Sequence, residues 1–459
     1  MPDLHVVILA AGKGTRMKSA LPKVLHRVAG KPMIDYVIRS ARSLGPKSIT
    51  VVVGHLKESL RQALAEDGGL TFVTQEPQLG TGHALLQTAS VLEGKSGVVV
   101  LLSGDVPLLR SNTLAELLRK HEEATASASV LTAMVPHPYG YGRIVRVKGK
   151  VSRIVEERDA SPAQRKIQEI NSGIYALSLP PLFAALRQLA TANAQGEYYL
   201  TDLVAAYRRR RLHVEGVVLE DPDQIRGINS RSELAEASRI MRQKKNEELM
   251  AAGVTIEDPA TTYIDDDVVI GPDTVIHPGV HLEGKTRIGQ ACEIHSGVRV
   301  VNSTVEDRVT IQNFCVITGS RVGPGATIGP FVHVRPDSYL HESVHIGNFV
   351  ELKKATVGKG SKAGHLSYLG DAVIGEGVNI GAGTITCNYD GTQKHQTTIE
   401  DGVFVGSDSQ LVAPVTVGKG AYVGSGTTVR QNVPAGALAV SGGTQRNIEG
   451  WVEKKRGKG

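Results

Sequence analysis

The sequence is poor in aromatic residues and in cysteine, and it has no long apolar run. Aromatic side chains make up 4% of the 459 residues, which disfavours a nucleic-acid surface, because such a surface interleaves stacking rings with basic residues. The three cysteines, Cys292, Cys315 and Cys387, form no CxxC pair, which indicates reduced thiols and disfavours a zinc site. No run approaches the roughly 18 apolar residues of a membrane span, so we expect a cytoplasmic protein without membrane contact.

The charge of the chain is modest and unevenly spread. The formal net charge is +6, and much of the excess lies in basic runs at residues 208–211, at 242–245 and in the tail from Lys454. Runs of this kind are usually solvated helix faces or frayed ends. Small phosphorylated ligands also account for the charge, and we expect no nucleic-acid partner.

The second half of the sequence carries an aliphatic residue at every sixth position. The series begins with Ile270, Ile276, Leu282, Ile288, Ile294 and Val300. It continues with one-residue skips to Val429, apart from a break at residues 385–405. This period fits neither a helix nor an ordinary strand. It predicts a parallel β-helix of hexapeptide repeats, in which three short strands form each triangular coil and the aliphatic side chains stack inside.

The first half alternates short apolar strands with amphipathic helices. Runs rich in β-branched residues stand at 6–10, 49–53, 71–74 and 98–102, which predicts a mainly parallel sheet with helices on both faces. Ligands of such a sheet bind at the carboxyl ends of the strands.

The join between the halves has the signals of one helix. Ser230 and Glu233 have the spacing of a capping box, and Gly253 is a natural C-cap. We therefore predict an α/β domain at residues 1–229, a linking helix at 230–252 and a β-helix domain at 253–459.

The loop after the first predicted strand is rich in glycine and positive charge. It reads LAAGKGTRM at residues 9–17 and is followed by a Pro-Lys pair that ends at Lys23. Gly12 and Gly14 let backbone N–H groups approach phosphate oxygens, while Arg16 and Lys23 add positive charge. A GxG pair alone is weak evidence, and the loop is neither a dinucleotide fingerprint nor a P-loop. The whole string resembles the signature of sugar-nucleotide pyrophosphorylases, which join a nucleoside triphosphate to a sugar 1-phosphate.

Two further segments of the first half support nucleotide binding. Residues 75–84 read QEPQLGTGHA and open a helix, where Gly80 and its neighbours can lie flat against a base. Residues 103–107 read SGDVP at a strand end. Asp105 is suited there to bind Mg²⁺, because this ion prefers oxygen ligands and is usually also bound by substrate phosphates. For Asp105 taken alone, a turn residue before Pro107 is an equally good interpretation.

Polar residues collect in the second half between His333 and Ser407, where the β-helix core does not explain them. The aliphatic period breaks there at residues 385–405, and a loop that leaves a solenoid and returns in register is more often functional than accidental. If coils stack, His365 lies near Glu351 and Tyr368, and a histidine beside a carboxylate is suited to general-base catalysis. The alternative for any single histidine here is a surface residue on a coil edge.

Together, these motifs resemble the bacterial family of bifunctional N-acetylglucosamine-1-phosphate uridyltransferases and glucosamine-1-phosphate N-acetyltransferases, over essentially the whole chain. The resemblance implies an α/β plus all-β architecture: a Rossmann-like nucleotidyltransferase (pyrophosphorylase) domain, a linking α-helix and a left-handed parallel β-helix. It also implies UTP and acetyl-CoA as co-substrates, Mg²⁺ as cofactor, and a homotrimer formed through the β-helix. The product would be UDP-N-acetylglucosamine, a precursor of the cell wall.

In the uridyltransferase half, the family implies an in-line displacement in which the sugar phosphate attacks the α-phosphorus of UTP, with Arg16 and Lys23 stabilising the charge. The residues implied to bind UTP and UDP-N-acetylglucosamine are Leu9, Ala10, Ala11, Gly12, Lys23, Gln75, Gly80, Thr81, Asp105, Gly142, Glu156, Asn171 and Asn229. Asp105 and Asn229 are implied to hold Mg²⁺.

In the acetyltransferase half, the family implies that His365 takes a proton from the glucosamine amine, that Glu351 orients His365, and that Ser407 helps hold the oxyanion. Asn388 completes the implied catalytic set. The residues implied to bind the sugar phosphate are Arg335, Lys353, Tyr368, Asn379, Asn388 and Tyr389. Those implied to line the acetyl-CoA cleft are Ala382, Asn388, Tyr389, Ser407 and Ser425.

The tail departs from the family, and one alternative function stays open. Gly442 and Gly443 stand where some members have an arginine, and Arg446 is a candidate replacement. Trp451 is either a cover over a neighbouring subunit's site or an anchor against its own coil. The alternative function is a sugar-1-phosphate nucleotidyltransferase with a purely structural or trimerising β-helix. A structural solenoid needs neither His365 nor a long loop, which favours the bifunctional enzyme.

Overall fold

The computed structural model describes residues 3–443 and 445–456, except the side chains of Glu453 and Arg456. The chain divides into two compact units, Met1–Met241 and Arg242–Gly459. The first is an α/β unit, and the second consists almost entirely of short strands.

The first unit is built on a nine-stranded sheet. Seven of its strands follow one another across the sheet in the order Val214–Leu219, Ala128–Met134, Glu169–Ser178, Val98–Ser103, Leu4–Ala10, Ser48–Val53 and Leu70–Thr74. All run parallel except Glu169–Ser178, which is antiparallel to both of its neighbours. The other two strands, Arg143–Val147 and Lys150–Val155, form a hairpin beside Glu169–Ser178. The predicted mainly parallel sheet is confirmed.

Helices cover both faces of this sheet. On one face, the cluster around Val6 and Ile8 includes the helices Met33–Arg42, Lys57–Ala63 and Ser111–Glu123. On the other face, the cluster around Val7 includes Thr81–Leu86, Ala89–Leu92, Leu179–Leu186 and Asp202–Arg209. This burial on both sides is why the strands are continuous apolar runs.

Short elements complete the first unit. They are the helix Pro162–Arg165, the 3-10 turns Thr15–Met17, Lys23–Leu25 and Pro222–Ile225, and the two-stranded ribbon Arg27–Val28 and Lys31–Pro32. Among all the helices of the described residues, none is both long and apolar enough to cross a membrane.

One helix, Arg231–Ala251, contains the boundary between the units. The capping box expected from the sequence forms at its start: the Glu233 carboxylate accepts from the Ser230 N–H at 2.8 Å, and the Glu233 N–H donates to Ser230 Oγ at 3.3 Å. Near its end, Leu249 joins the core of the second unit, and the Arg242 guanidinium lies 4.2 Å from the centroid of the Tyr263 ring. The last turns of the helix therefore pack as part of the second unit.

The second unit is a left-handed parallel β-helix whose three sheets we call the first, second and third faces. The first face comprises Thr255–Ile256, Val275–Ile276, Glu293–Ile294, Thr310–Ile311, Thr327–Ile328, His345–Asn348, Lys362–His365, Asn379–Ile380, Phe404–Val405, Tyr422–Val423 and Leu438–Ala439. The second face comprises Tyr263–Ile264, His281–Glu283, Arg299–Val301, Val316–Thr318, His333–Val334, Glu351–Lys353, Tyr368–Gly370, Ile385–Cys387, Gln410–Val412 and Thr428–Val429. The third face comprises Val269–Ile270, Arg287–Ile288, Thr304–Val305, Arg321–Val322, Tyr339–Leu340, Thr356–Val357, Ala372–Ile374, Thr397–Ile399 and Val415–Val417. A short helix, Trp451–Arg456, follows.

The aliphatic residues at six-residue intervals form one continuous core, as the sequence predicts. The predicted loop is shorter than expected, because Ile385–Cys387 is still a strand of the second face and Thr397–Ile399 a strand of the third. The inward residue of the first of these strands is Thr386, whose hydroxyl accepts from the Gly370 N–H at 2.7 Å and donates to the Gly370 carbonyl at 2.9 Å. Because this inward residue is polar, a search for aliphatic residues at every sixth position does not find the strand. The loop is therefore residues 388–396 and not 385–405.

Candidate functional sites

A cavity of about 430 Å³ adjoins the carboxyl end of the strand Leu4–Ala10. Its lining includes nine of the residues that the resemblance assigns to the nucleotide: Leu9, Ala10, Ala11, Gly12, Lys23, Gln75, Gly80, Thr81 and Asp105. Segments distant in sequence are thus brought together where a doubly wound sheet binds its ligands. Arg16 lies in the 3-10 turn Thr15–Met17 and does not belong to this lining.

The wall of the cavity around Gly80 depends on a close backbone contact. Gly80 has a φ of 100°, and a Cβ there would lie 2.7 Å from the Tyr198 carbonyl oxygen. The Gln75 side-chain amide donates to the Gly80 carbonyl at 2.9 Å, and the Gly82 N–H donates to the Tyr198 carbonyl at 2.8 Å. Glu197 also lines the cavity. The contribution of residues 197–198 was missed from the sequence, because no motif marks them.

The Lys23 ammonium lies between two oxygen donors at one side of this cavity. It donates to the Asp105 carboxylate and, at 3.0 Å, to Asn229 Oδ1. The side chains of Lys23 and Asp105 are only 15% and 17% exposed, so their attraction is poorly screened by solvent. Asn229 is held in place by its N–H, which donates to the Glu233 carboxylate at 2.6 Å. A carboxylate and an amide oxygen that converge on one cation are a donor set that fits Mg²⁺.

A second group of predicted residues surrounds Glu156. A Cβ at Gly142 would lie 3.5 Å from both carboxylate oxygens of Glu156, and the Asn171 N–H donates to the Gly142 carbonyl at 2.9 Å. The Tyr175 hydroxyl donates to Asn171 Oδ1 at 2.9 Å. Burial raises the pKa of Glu156, while the Thr201 hydroxyl, 3.0 Å from Oε1, opposes this. Such a partly buried acceptor beside a residue without a side chain is suited to hydroxyl groups of a sugar.

In the β-helix, five residues of successive coils stand in one row along the end of the first face. They are Asn348, His365, Ala382, Ser407 and Ser425, which we call the His365 column. The strand register pairs Asn348 with His365, and it also pairs the inward residues two positions before each member of the column. Three residues predicted to line the acetyl-CoA cleft are therefore aligned with the predicted base.

Glycines let the coils approach closely beside this column. Gly347, Gly364, Gly381, Gly406 and Gly424 each precede one of its members. A Cβ at Gly347 would lie 1.9 Å from the Gly364 carbonyl oxygen, and a Cβ at Gly406 would lie 2.6 Å from the Ser425 backbone nitrogen. At Gly347, Gly381 and Gly406 glycine is therefore required by backbone contact between coils and not by an unusual φ, whereas a Cβ at Gly364 would meet no atom within 4 Å.

The hydrogen-bond partner of His365 differs from the expected one. His365 Nδ1 lies 2.8 Å from Asn348 Oδ1. An amide oxygen can only accept, so Nδ1 carries the hydrogen, and in the neutral imidazole Nε2 is then the nitrogen with the lone pair. The Glu351 carboxylate, expected to orient His365, accepts from the Arg335 guanidinium at 3.0 Å. The reason is that Glu351 belongs to the second face, whereas Asn348 occupies the register position next to His365 on the first.

The predicted sugar-phosphate residues Arg335, Lys353 and Tyr368 lie on neighbouring coils of the second face. The structure adds Lys394 from the loop. The nearby Lys353 ammonium lowers the pKa of Lys394, both through side-chain contact and through charge repulsion. Two adjacent ammonium groups are suited to a doubly charged phosphate. Lys394 could not be found from the sequence, since the loop carries no period that fixes its position.

Other predicted residues are placed separately. Asn379 lies on the first face, where its strand neighbours are Lys362 and Phe404, so one chain does not bring it to the residues of the second face. Asn388 is buried and its amide donates to the Asp371 carboxylate, whereas Tyr389 is exposed in the loop.

In the tail, Gly442, Gly443 and Arg446 are exposed. The Trp451 ring is half exposed, and the Lys455 ammonium lies 4.9 Å from the centroid of this ring.

The fold and these two sites define a class of protein: a nucleotidyltransferase domain followed by a hexapeptide-repeat transferase domain. Residues 6–201 match the family of MobA-like NTP transferase domains, residues 264–344 match the GMPPB C-terminal domain, and residues 396–431 match six bacterial transferase hexapeptide repeats.

Full-length relatives show the family itself. The chain is 50% identical to the "Bifunctional protein GlmU" of Pelobacter propionicus, with 98% of each chain covered, and 51% identical to that of Trichlorobacter lovleyi, with 99% of each covered. It is also 50% identical to that of Brevibacillus brevis, over 100% of this chain and 99% of the relative. The chain belongs to the family of bifunctional GlmU proteins.

Proposed function

We propose that this chain catalyses two successive transfers in the synthesis of UDP-N-acetylglucosamine. At the β-helix it acetylates glucosamine 1-phosphate with acetyl-CoA. At the α/β unit it transfers UMP from UTP to N-acetylglucosamine 1-phosphate, and pyrophosphate leaves. We assign residues 1–229 to uridyl transfer, 230–252 to the linking helix and 253–459 to acetyl transfer. The observation that carries the proposal is the His365 column, which aligns His365 with three residues predicted to line the acetyl-CoA cleft. The same chain also has a cavity lined by nine residues predicted to bind the nucleotide.

In acetyl transfer, His365 acts as the general base. Its Nε2 accepts a proton from the glucosamine amine as that nitrogen attacks the thioester carbonyl, and Asn348 Oδ1 stabilises the imidazolium through Nδ1–H. The Ser407 hydroxyl donates to the developing oxyanion, and the coenzyme A thiolate leaves. Arg335, Lys353 and Lys394 hold the sugar phosphate, so that binding energy of the phosphate positions the amine.

In uridyl transfer, positioning and charge neutralisation carry the reaction. The sugar phosphate oxygen attacks the α-phosphorus of UTP in line with the leaving pyrophosphate, and the Lys23 ammonium and the backbone N–H groups near Gly12 stabilise the added charge. The Glu156 carboxylate accepts hydrogen bonds from the sugar, and the Asn171 side chain forms further hydrogen bonds with it. Asp105 and Asn229 would hold Mg²⁺, which supplies Lewis-acid neutralisation of the triphosphate when bound.

We also propose that the complete acetyl-transfer site forms between copies in a homotrimer. Asn379 and Tyr368 lie on different faces of one prism, so a second copy is needed to bring both types of residue to one substrate. An exposed ladder of Phe314, Phe331 and Phe349, with ring centroids 5.4 and 5.3 Å apart, offers an apolar surface for such packing. A cytoplasmic location agrees with the reduced cysteines and with both co-substrates.

Two variants test the proposal of two separate sites. His365→Ala should lower acetyl transfer at least about 10²-fold through loss of the general base and leave uridyl transfer intact. Asp105→Ala should have the opposite selectivity. Coenzyme A thiol release and pyrophosphate formation measure the two reactions. If either variant loses both activities while it stays folded, or if neither activity changes, the assignment fails. A purely structural β-helix is not favoured, and it predicts no thiol release from the wild-type chain.

A further inference from the structure

A cluster of imidazoles and carboxylates lies on the first face of the β-helix, in the coils next to the linking helix. His277 Nε2 is 3.3 Å from Glu293 Oε1, and His295 Nε2 is 3.5 Å from the same oxygen. Across the described part of the chain, this is the one group of three or more His, Cys, Asp or Glu side chains whose ligand atoms all lie within 4.8 Å of one another. Neither proposed reaction uses it.

A fourth side chain fixes the orientation of His277. Glu257 Oε2 lies 2.9 Å from His277 Nδ1, and an ionised carboxylate can only accept, so Nδ1 carries a hydrogen. The Nε2 atom of the same ring faces the Glu293 carboxylate. The Nε2 atom of His295 faces the same Glu293 oxygen. Two ring nitrogens and a carboxylate oxygen thus surround one small volume, and a cation placed among them is attracted by all three.

We infer that His277, Glu293 and His295 bind one Zn²⁺ ion, with Glu257 as the carboxylate that orients His277. Imidazole nitrogens exclude Mg²⁺ and Ca²⁺ as preferred ions and suit zinc, for which two histidines and a carboxylate are a common ligand set. Tetrahedral zinc with bonds of about 2.1 Å places its ligand atoms roughly 3.4 Å apart, close to the observed 3.3 and 3.5 Å. A histidine that donates its other N–H to a carboxylate is the usual arrangement around zinc.

The β-helix fixes the backbone of these ligands before the ion arrives. Glu257, His277 and His295 each follow an inward isoleucine of successive coils, and the Glu257 and His277 N–H groups donate to the isoleucine carbonyls of the next coil at 3.1 and 3.0 Å. The two imidazole rings stack with centroids 4.6 Å apart and planes 6° apart, so one ring must turn about its Cβ–Cγ bond before both Nε2 lone pairs point at one ion. Because the strand ladder fixes the backbone of the ligands, only side-chain torsions are ordered on binding, and zinc would tie together the first coils of the prism.

The test is a zinc titration of the full-length protein in competition with a chromophoric chelator. Excess Mg²⁺ is present throughout to occupy oxygen sites such as that of Asp105. We expect one zinc per chain at the site, an affinity lowered at least 100-fold by His295→Gln and by Glu293→Gln, and an affinity lowered about tenfold by Glu257→Gln. His341→Gln, which changes a histidine elsewhere on the prism, is the matched control and should bind as the wild type does.

Diffraction at the zinc absorption edge gives the position of the ion. Anomalous density among His277, Glu293 and His295 supports the site. The inference is overturned if no saturable site is found, if His295→Gln and Glu293→Gln bind zinc as tightly as the wild type, or if the anomalous density lies elsewhere. Acetyl and uridyl transfer should be unchanged in the His295→Gln variant, so this outcome is independent of the proposed function.

Discussion

The ammonium groups of Lys353 and Lys394 lie side by side where the sugar phosphate is proposed to bind, and each raises the energy of the other until an anion arrives. In Lys394→Met one of the two charges is lost while most of the side-chain volume remains. A hydrogen bond to a charged group contributes about 1.5–3 kcal/mol, so we expect KM for glucosamine 1-phosphate to rise about 10–100-fold, with a smaller change in kcat. Steady-state kinetics of thiol release measure both constants.

Lys359→Met is the matched control for this prediction. Lys359 lies on the same β-helix but pairs with Glu342 at 2.8 Å on the surface. Its loss should leave the kinetics of acetyl transfer unchanged. An unchanged KM in Lys394→Met would contradict the role of Lys394 in phosphate binding.

Single residues of the acetyl-transfer site were predictable where their neighbours carry a pattern. The sequence indicates His365 as a candidate base because it follows a glycine near Glu351 and Tyr368, and the family resemblance implies Glu351 as its partner. Asn348 occupies that position because strand register, and not proximity in sequence, decides which side chains meet across coils. Lys394 had no such pattern, since its position depends on how the loop folds back toward Lys353.

Gly347 is one of the glycines beside the His365 column that allow neighbouring coils to lie close together. In Gly347→Ala the new methyl group would collide with the Gly364 carbonyl oxygen, which belongs to backbone and cannot move aside cheaply. We expect a loss of about 1–3 kcal/mol in the stability of the β-helix, together with slower acetyl transfer, because the coils that hold Asn348 and His365 are forced apart. Thermal unfolding and thiol release measure the two effects.

Gly364→Ala is the control for this effect, one coil further along the same row. A Cβ at Gly364 meets no atom within 4 Å, so its stability should stay within about 0.5 kcal/mol of the wild type. Equal destabilisation by the two substitutions would show that loss of glycine as such, and not contact between coils, is responsible.

The elements themselves followed closely from the sequence wherever one periodicity dominated. The six-residue period located the β-helix core, and the apolar runs located four parallel strands of the first unit. The sequence does not predict that Glu169–Ser178 is antiparallel to its neighbours, because the pattern of apolar residues in a strand does not indicate its direction. Thr386 points into the core as a polar residue satisfied by Gly370, so a search for aliphatic residues lengthened the loop.

For the whole protein, we expect buried histidines of the first unit to lower the stability in acid. His121 is buried between the Ser129 and Ser178 hydroxyls, at 2.9 and 3.2 Å, and burial lowers its pKa from 6.5 to about 4. The unfolded chain therefore binds a proton between these values that the folded chain does not. The stability from neutral His121 is complete above about pH 6.5 and falls by about 2–3 kcal/mol as the pH drops toward 4.

Urea unfolding of the first unit between pH 4 and 7 measures this dependence. In His121→Gln, which has a polar side chain that takes up no proton, the slope of stability against pH should be smaller. His55→Gln, which changes an exposed histidine, should keep the wild-type slope. A slope that is the same in all three proteins would contradict the assignment to His121, although burial also lowers the pKa of His5 and His26.

The stacked column has a consequence for how such chains can grow. Asn348, His365 and Ala382 are 17 residues apart in turn, whereas Ser407 follows Ala382 after 25, because the loop at 388–396 adds a detour that leaves the ladder undisturbed. The number of coils and the residues along one edge of the β-helix can therefore change independently. Whole coils could be added by tandem duplication, or removed by deletion, near Thr255 while the distances within the His365 column stay constant. β-Helices of different length can thus carry the same catalytic residues.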